Sequence, residues 1–132
     1  MKKLSIIIPV HNEAKTLENI ITIVARLKLP NNIKKEIIII NDGSSDSSLE
    51  IIERYSKKNK EIKYINNPKN LGKSQTVKKG ILASTGNYII IQDADLEYEP
   101  NDISNLIKYA LKHNLEVVYK SPFLTSTILS LF

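Results

Sequence analysis

The sequence predicts an α/β fold: a doubly wound, mainly parallel sheet flanked by helices. Two observations carry this. Five short apolar runs, most of them rich in isoleucine, alternate along the 132 residues with longer segments of helical periodicity. One of these runs, Tyr88-Ile89-Ile90-Ile91, is continuous rather than alternating, as expected of a strand buried on both faces.

Leu4 to Ile8 forms the first strand. Asn12 reads as the N-cap of a helix in which Leu17, Ile20, Ile21, Val24 and Leu27 recur at helical spacing, and Pro30 closes it. Ile37 to Ile40 forms the second strand, and the polar cluster Asn41 to Asp46 caps a helix with Leu49, Ile52 and Tyr55 on one side. Ile62 to Ile65 is a third strand, followed by a loop over residues 66–72. The next helix turns Val77, Gly80 and Ile81 inward. A glycine inside a helix costs about 1 kcal/mol against alanine, so Gly80 implies close approach to the sheet. Tyr88 to Ile91 is the central strand, Glu99-Pro100-Asn101 starts a helix carrying Ile103, Leu106, Ile107, Ala110 and Leu111, and Val117 to Tyr119 is the last clear strand. Thr125 to Phe132 reads as a packed terminal helix or as the residue of a truncation, with an interfacial anchor as the third reading. No repeat, low-complexity tract or domain boundary interrupts the chain.

Hydrophobic content of 42% and charged content of 25% are globular values. The absence of cysteine excludes a disulfide framework and a thiolate zinc site. A formal charge of +5 comes mostly from scattered lysines, with Arg26 and Arg54 as the only arginines. Nucleic-acid readers show arginines with interleaved aromatics, so nucleic acid is not the expected partner. The lysines read as solvated helix faces with weak attraction to anionic lipid headgroups. No apolar run reaches the roughly 20 residues needed to span a bilayer, and Ile6-Ile7-Ile8 ends at Pro9 without a secretory pattern. The expected location is cytoplasmic, with any membrane contact peripheral.

Polar groups follow three strand ends, where open α/β sheets collect ligands. Pro9, His11, Asn12 and Glu13 follow the first strand, Asp42 the second, and Asp93 and Asp95 the central one, with Glu97 and Glu99 close behind. Two carboxylates about 4 Å apart repel by roughly 4 kcal/mol at an effective dielectric near 20. A magnesium or manganese ion removes that repulsion. Asp42 is placed to accept hydrogen bonds from a ribose or base. Pro-Val-His-Asn-Glu stands where a G-x-G-x-x-G turn would begin, which argues against a nicotinamide enzyme. Gly72-Lys73-Ser74 ends like a P-loop, but the first glycine falls at Asn67 and Pro68 lacks a needed N–H. His11 and His113 have no matching ligand partners and read as structural.

Four motifs in order, Ile-Ile-Ile-Pro-Val-His-Asn-Glu, Ile-Ile-Asn-Asp-Gly-Ser-Ser-Asp, Asn-Leu-Gly-Lys and Gln-Asp-Ala-Asp-Leu-Glu, resemble the family 2 glycosyltransferases of the GT-A fold. Within them the chain looks most like the dolichyl- or polyprenyl-phosphate mannosyl- and glucosyltransferases, over Lys3 to about Tyr119. The resemblance implies a Rossmann-like, three-layer α/β/α domain over 1–132, with 119–132 as an atypical tail. It implies a transferase that moves a hexose from a UDP-glucose or GDP-mannose type donor to an acceptor such as a polyprenyl or dolichyl phosphate, with Mg2+ or Mn2+. By the same resemblance Pro9, Asn12 and Glu13 would line the nucleotide pocket and Asp42 would hold the base. Asp93 would face the ribose or metal, Asp95 would bind the metal, Glu97 would assist there, and Lys73 would approach the diphosphate. No catalytic base is identified. A phosphomonoester acceptor, with a second pKa of about 6, is largely ionised already and needs none.

One departure stands out. Many relatives read Gly-Ser-Arg-Phe after the last strand, where this chain reads Lys120-Ser121-Pro122-Phe123. Lys120 supplies charge without the planar fork of arginine. The acceptor half of such domains normally follows, so the expectation is uncovered apolar surface, self-association or lipid binding, and poor transfer. Two other readings stay open: a non-catalytic nucleotide-sugar-binding protein, and a basic lipid- or nucleic-acid-binding module.

Overall fold

A computed structural model describes residues 2–94, 102–113, 117–119 and 127–130, the last two segments by their backbone. Strands β1 (Lys3–Val10), β2 (Lys34–Asp42), β3 (Ile62–Asn67) and β4 (Tyr88–Ile91) run parallel in the order β3-β2-β1-β4. Helices α1 (Ala14–Arg26), α2 (Ser48–Lys58) and α3 (Lys73–Ala83) connect them, and α4 (Asp102–His113) follows.

The right-handedness of parallel crossovers explains the layers. The chain steps one way from β1 to β2 to β3, which places α1 and α2 together on one face. The return from β3 to β4, past β1, puts α3 on the other. Side chains follow with period two. Ile6, Ile8, Ile37, Ile39 and Ile90 pack with α1, with Ile51 and Ile52 of α2, and with Ile103, Ile107 and Ala110 of α4. Ile7, Ile38, Ile40 and Ile89 face the other way, with Ile81 of α3 against them. Register keeps isoleucine beside isoleucine: Ile6 lies between Ile37 and Ile90. Each such side chain contributes roughly 1.5–3 kcal/mol on burial. The expected doubly wound α/β sheet is the observed one. Gly80 plays the expected part, since a Cβ there would stand 2.6 Å from Ile7 Cγ2 and 2.8 Å from Ile40 Cδ1.

Three expectations are corrected. The strands run past their apolar runs, because backbone pairing continues through Asn41 with Asn66 and Asp42 with Asn67. Asn12 is not the N-cap of α1. The helix starts at Ala14 after Glu13, and no side chain caps it from the preceding residue. Its donors are met by the β2–α2 loop and the start of α2, Ala14 N–H giving to Asp46 Oδ2 (3.1 Å) and Glu13 N–H to Ser48 Oγ (3.1 Å). Within Thr125 to Phe132, the described part is a strand and not a helix. Strand β6 (Thr127–Ser130) pairs antiparallel with β4 and with β5 (Val117–Tyr119), extending the order to β3-β2-β1-β4-β6-β5. An unpaired edge on β4 would leave a row of backbone donors and acceptors open, and that edge outweighs local preference in a segment this short.

Glu36, at the amino-terminal part of β2, was not anticipated as a buried charge, yet it is 3% exposed. Its carboxylate accepts from the Ser5 hydroxyl (2.7 Å), the Thr85 N–H (2.6 Å), the Thr85 hydroxyl (2.8 Å) and Lys63 Nζ (3.3 Å). Burial pushes its pKa up, but these hydrogen bonds outweigh it and lower the pKa from 4.5 to about 2. Among the described residues no helix is long and apolar enough to cross a membrane.

Candidate functional site

The strand order reverses between β1 and β4, and at such a switch point the loops leaving the carboxyl ends part to form a crevice. Here the crevice has a volume of about 350 Å³ and is lined by residues from four strand ends, among them Pro9, Glu13, Asp42, Lys73 and Asp93. That volume lies within the range of small-molecule sites. His11, Asn70 and Thr76 also line it.

Asp42 sits at the end of β2, 4% exposed. Oδ1 accepts from the Leu71 N–H (2.7 Å) and from Asn67 Nδ2 (3.1 Å), and Oδ2 from the Gly72 N–H (3.0 Å). Burial pushes its pKa up; the Leu71 N–H, the Asn67 amide, the Gly72 N–H and the Thr76 hydroxyl together hold it below the usual carboxylate value. The carboxylate thus spends both oxygens on the β3–α3 loop. Gly43, just after it, has φ of +63°, and a Cβ would meet the Asn70 backbone N at 2.3 Å, so the same loop can lie flat against the β2 end.

His11 completes this arrangement. A carbonyl only accepts, so Nδ1–H donates to the Asp42 carbonyl (2.7 Å), and Nε2 is left as the acceptor facing Asn70 Nδ2 at 3.2 Å. The imidazole therefore joins the β1, β2 and β3 loops. Asn12 is not among the residues that line the crevice. In a left-handed conformation (φ 51°) its Oδ1 accepts from the Ser45 N–H (2.7 Å), fastening the β1–α1 loop to the β2–α2 loop.

Lys73, the first residue of α3, reaches across the crevice to Asp93, Nζ to Oδ1 2.6 Å. The segment carrying Asp93 is tethered on both sides. Gln92 N–H donates to the Ile7 carbonyl (2.8 Å), and the Thr16 hydroxyl donates to the Ala94 carbonyl (2.8 Å). Asp95 and Glu97 lie outside the described residues. Among the described residues no group of three or more His, Asp or Glu side chains could hold a metal ion. Asp93 does offer one hard oxygen ligand at the crevice. That suits magnesium or manganese, which take one or two carboxylates plus substrate phosphates rather than a full protein cage.

The sequence pointed to Asp42 and Asp93 because charged residues soon after apolar runs are conspicuous, and to Lys73 through the Asn-Leu-Gly-Lys motif that carries the family resemblance. It gave no comparable signal for Asn67 and Thr76, whose parts depend on a loop folding back on Asp42, and Asn70, though it opens the Asn-Leu-Gly-Lys motif, was assigned no role.

The fold is an α/β domain of the doubly wound class with its crevice at the switch point. Residues 5–127 match the model of the family described as Glycosyl transferase family 2, and the chain belongs to that family. It is 35% identical over 117 residues to an uncharacterized glycosyltransferase of Synechocystis sp., covering 89% of this chain and 36% of that protein. It is 32% identical over 122 residues to a dolichyl-phosphate beta-glucosyltransferase of Trichomonas vaginalis, covering 86% of this chain and 37% of that one. The chain thus spans little more than a third of the length of these relatives. In fold it is similar to a mannosyltransferase of Pyrobaculum calidifontis solved with GDP-Man and Mn2+, with a TM-score of 0.84 at 16% identity over 98% of this chain and 44% of that one.

Proposed function

We propose that the chain is the nucleotide-sugar-binding domain of a hexosyltransferase, taking a nucleotide-diphosphate sugar as donor and a polyprenyl or dolichyl phosphate as acceptor. The observation that carries this is the convergence of Pro9, Glu13, Asp42, Lys73 and Asp93 on one crevice at the switch point of a family 2 domain. The metal and nucleotide sugar held by the Pyrobaculum enzyme support the donor, and the name of the Trichomonas relative supports the acceptor. Asp93 and Asp95, with Glu97 assisting, would hold a divalent cation. Once bound, such an ion offsets the negative charge that grows on a departing nucleoside diphosphate. Pro9 and Glu13 would bound the nucleotide pocket, Lys73 would meet the diphosphate, and Asp42 would set the shape of the β3–α3 loop beside the base. A phosphate acceptor arrives as an anion and needs no proton removed, in keeping with a site for which no base is assigned.

Calorimetry with UDP-glucose and GDP-mannose tests the proposal. At least one donor should bind more tightly with Mn2+ or Mg2+ than in EDTA, and Asp95→Asn should weaken that binding at least ~10-fold. Equal affinity with and without metal would overturn the metal assignment, and failure of both donors to bind would overturn the donor site.

A further inference from the structure

The Lys73–Asp93 ion pair joins unequal partners. The Asp93 side chain is 16% exposed, on a segment tethered through Gln92 and Ala94, whereas the Lys73 side chain is 64% exposed. Lysine carries its charge on a flexible four-carbon stem, so Lys73 is the partner free to move. Its ammonium neutralises Asp93 at the place where, on the donor-site reading above, a divalent cation belongs. An ammonium 2.6 Å from Oδ1 and a metal ion on the same carboxylate would be two cations in close repulsion. That repulsion sets them in competition for the carboxylate.

Resting on that reading, we infer that Lys73 is a displaceable counter-ion of Asp93: it competes with free divalent cation for the carboxylate and passes to the diphosphate when cation and nucleotide enter together. Two consequences of opposite sign follow. Removing the ammonium frees Asp93 for metal but deprives the diphosphate of a positive partner. A merely structural surface ion pair would produce neither.

The experiment measures Mn2+ binding by electron paramagnetic resonance for the full chain, Lys73→Met, Asp93→Asn and the double variant, and measures UDP and GDP binding at saturating Mn2+ by calorimetry. Methionine keeps much of the apolar stem of an exposed residue, and circular dichroism checks that each variant is folded. Lys73→Met should bind Mn2+ alone roughly three- to tenfold more tightly, yet bind the nucleoside diphosphate about tenfold more weakly. The gain in Mn2+ affinity should vanish when Asp93→Asn is added. Unchanged or weaker Mn2+ affinity in Lys73→Met overturns the exchange, as does unchanged diphosphate affinity. A wild-type chain that binds neither UDP nor GDP at saturating Mn2+ removes instead the donor-site reading on which the exchange rests.

Discussion

Glu36 and Asp42 are buried carboxylates toward opposite ends of one strand, and each stays ionised because donors surround it. For Glu36 the sign of the pH effect is fixed by a folded-state pKa lowered from 4.5 to about 2. A depressed carboxylate adds stability that is fully present above the unfolded value near 4.5 and is lost as pH falls through 2. At 1.36 kcal/mol per unit, the contribution is on the order of 3 kcal/mol. Urea denaturation from pH 7 down to pH 2 should show that loss in the wild type. Glu36→Gln should be less stable at pH 7 and flatter across the same range; parallel curves would contradict the linkage. Asp42→Asn replaces one acceptor oxygen by an amide N–H₂ facing existing donors, so it should cost roughly 1–3 kcal/mol. Urea midpoints at neutral pH check this, and a variant of wild-type stability would show that the loop does not depend on the carboxylate.

Among the elements, α3 links packing to the crevice. Its Gly80 lies on Ile7 and Ile40, while its first turn presents Lys73 and Thr76 to the site. Gly80→Ala should therefore lift the helix, costing about 1–3 kcal/mol by overpacking, and should weaken donor binding in calorimetry although residue 80 does not line the crevice. Strengthened stability, as from ordinary helix propensity, would refute the close approach. The isoleucine runs made the parallel strands legible because a strand buried on both faces has one unmistakable pattern. Elements defined by distant partners were not legible. Thr127–Ser130 is a strand because β4 offers it an edge, and Asn12 is not a cap because Asp46 and Ser48 meet those donors from the start of another helix and the loop before it. Glu36 gave no sign of burial, since its donors Ser5, Lys63 and Thr85 come from three separate segments.

At the scale of the whole molecule, alternation of strand and helix implied the parallel sheet, and strand order placed the crevice. The sequence could therefore indicate which residues would gather there before it could show which would be occupied by one another. That order also constrains how the protein must fold. β1 pairs first with β2, close along the chain, but its other edge waits for β4, and the Lys3–Asn87 hydrogen bond closes a separation of 84 residues. Closing so long a loop is the slow part of a parallel topology. The wall carrying Asp93 reaches the wall carrying Asp42 and Lys73 only through that pairing, so a folding intermediate built from β1, β2 and β3 would have half a crevice and little hold on a ligand. Whatever binds here selects the finished sheet and adds its binding energy to that state alone.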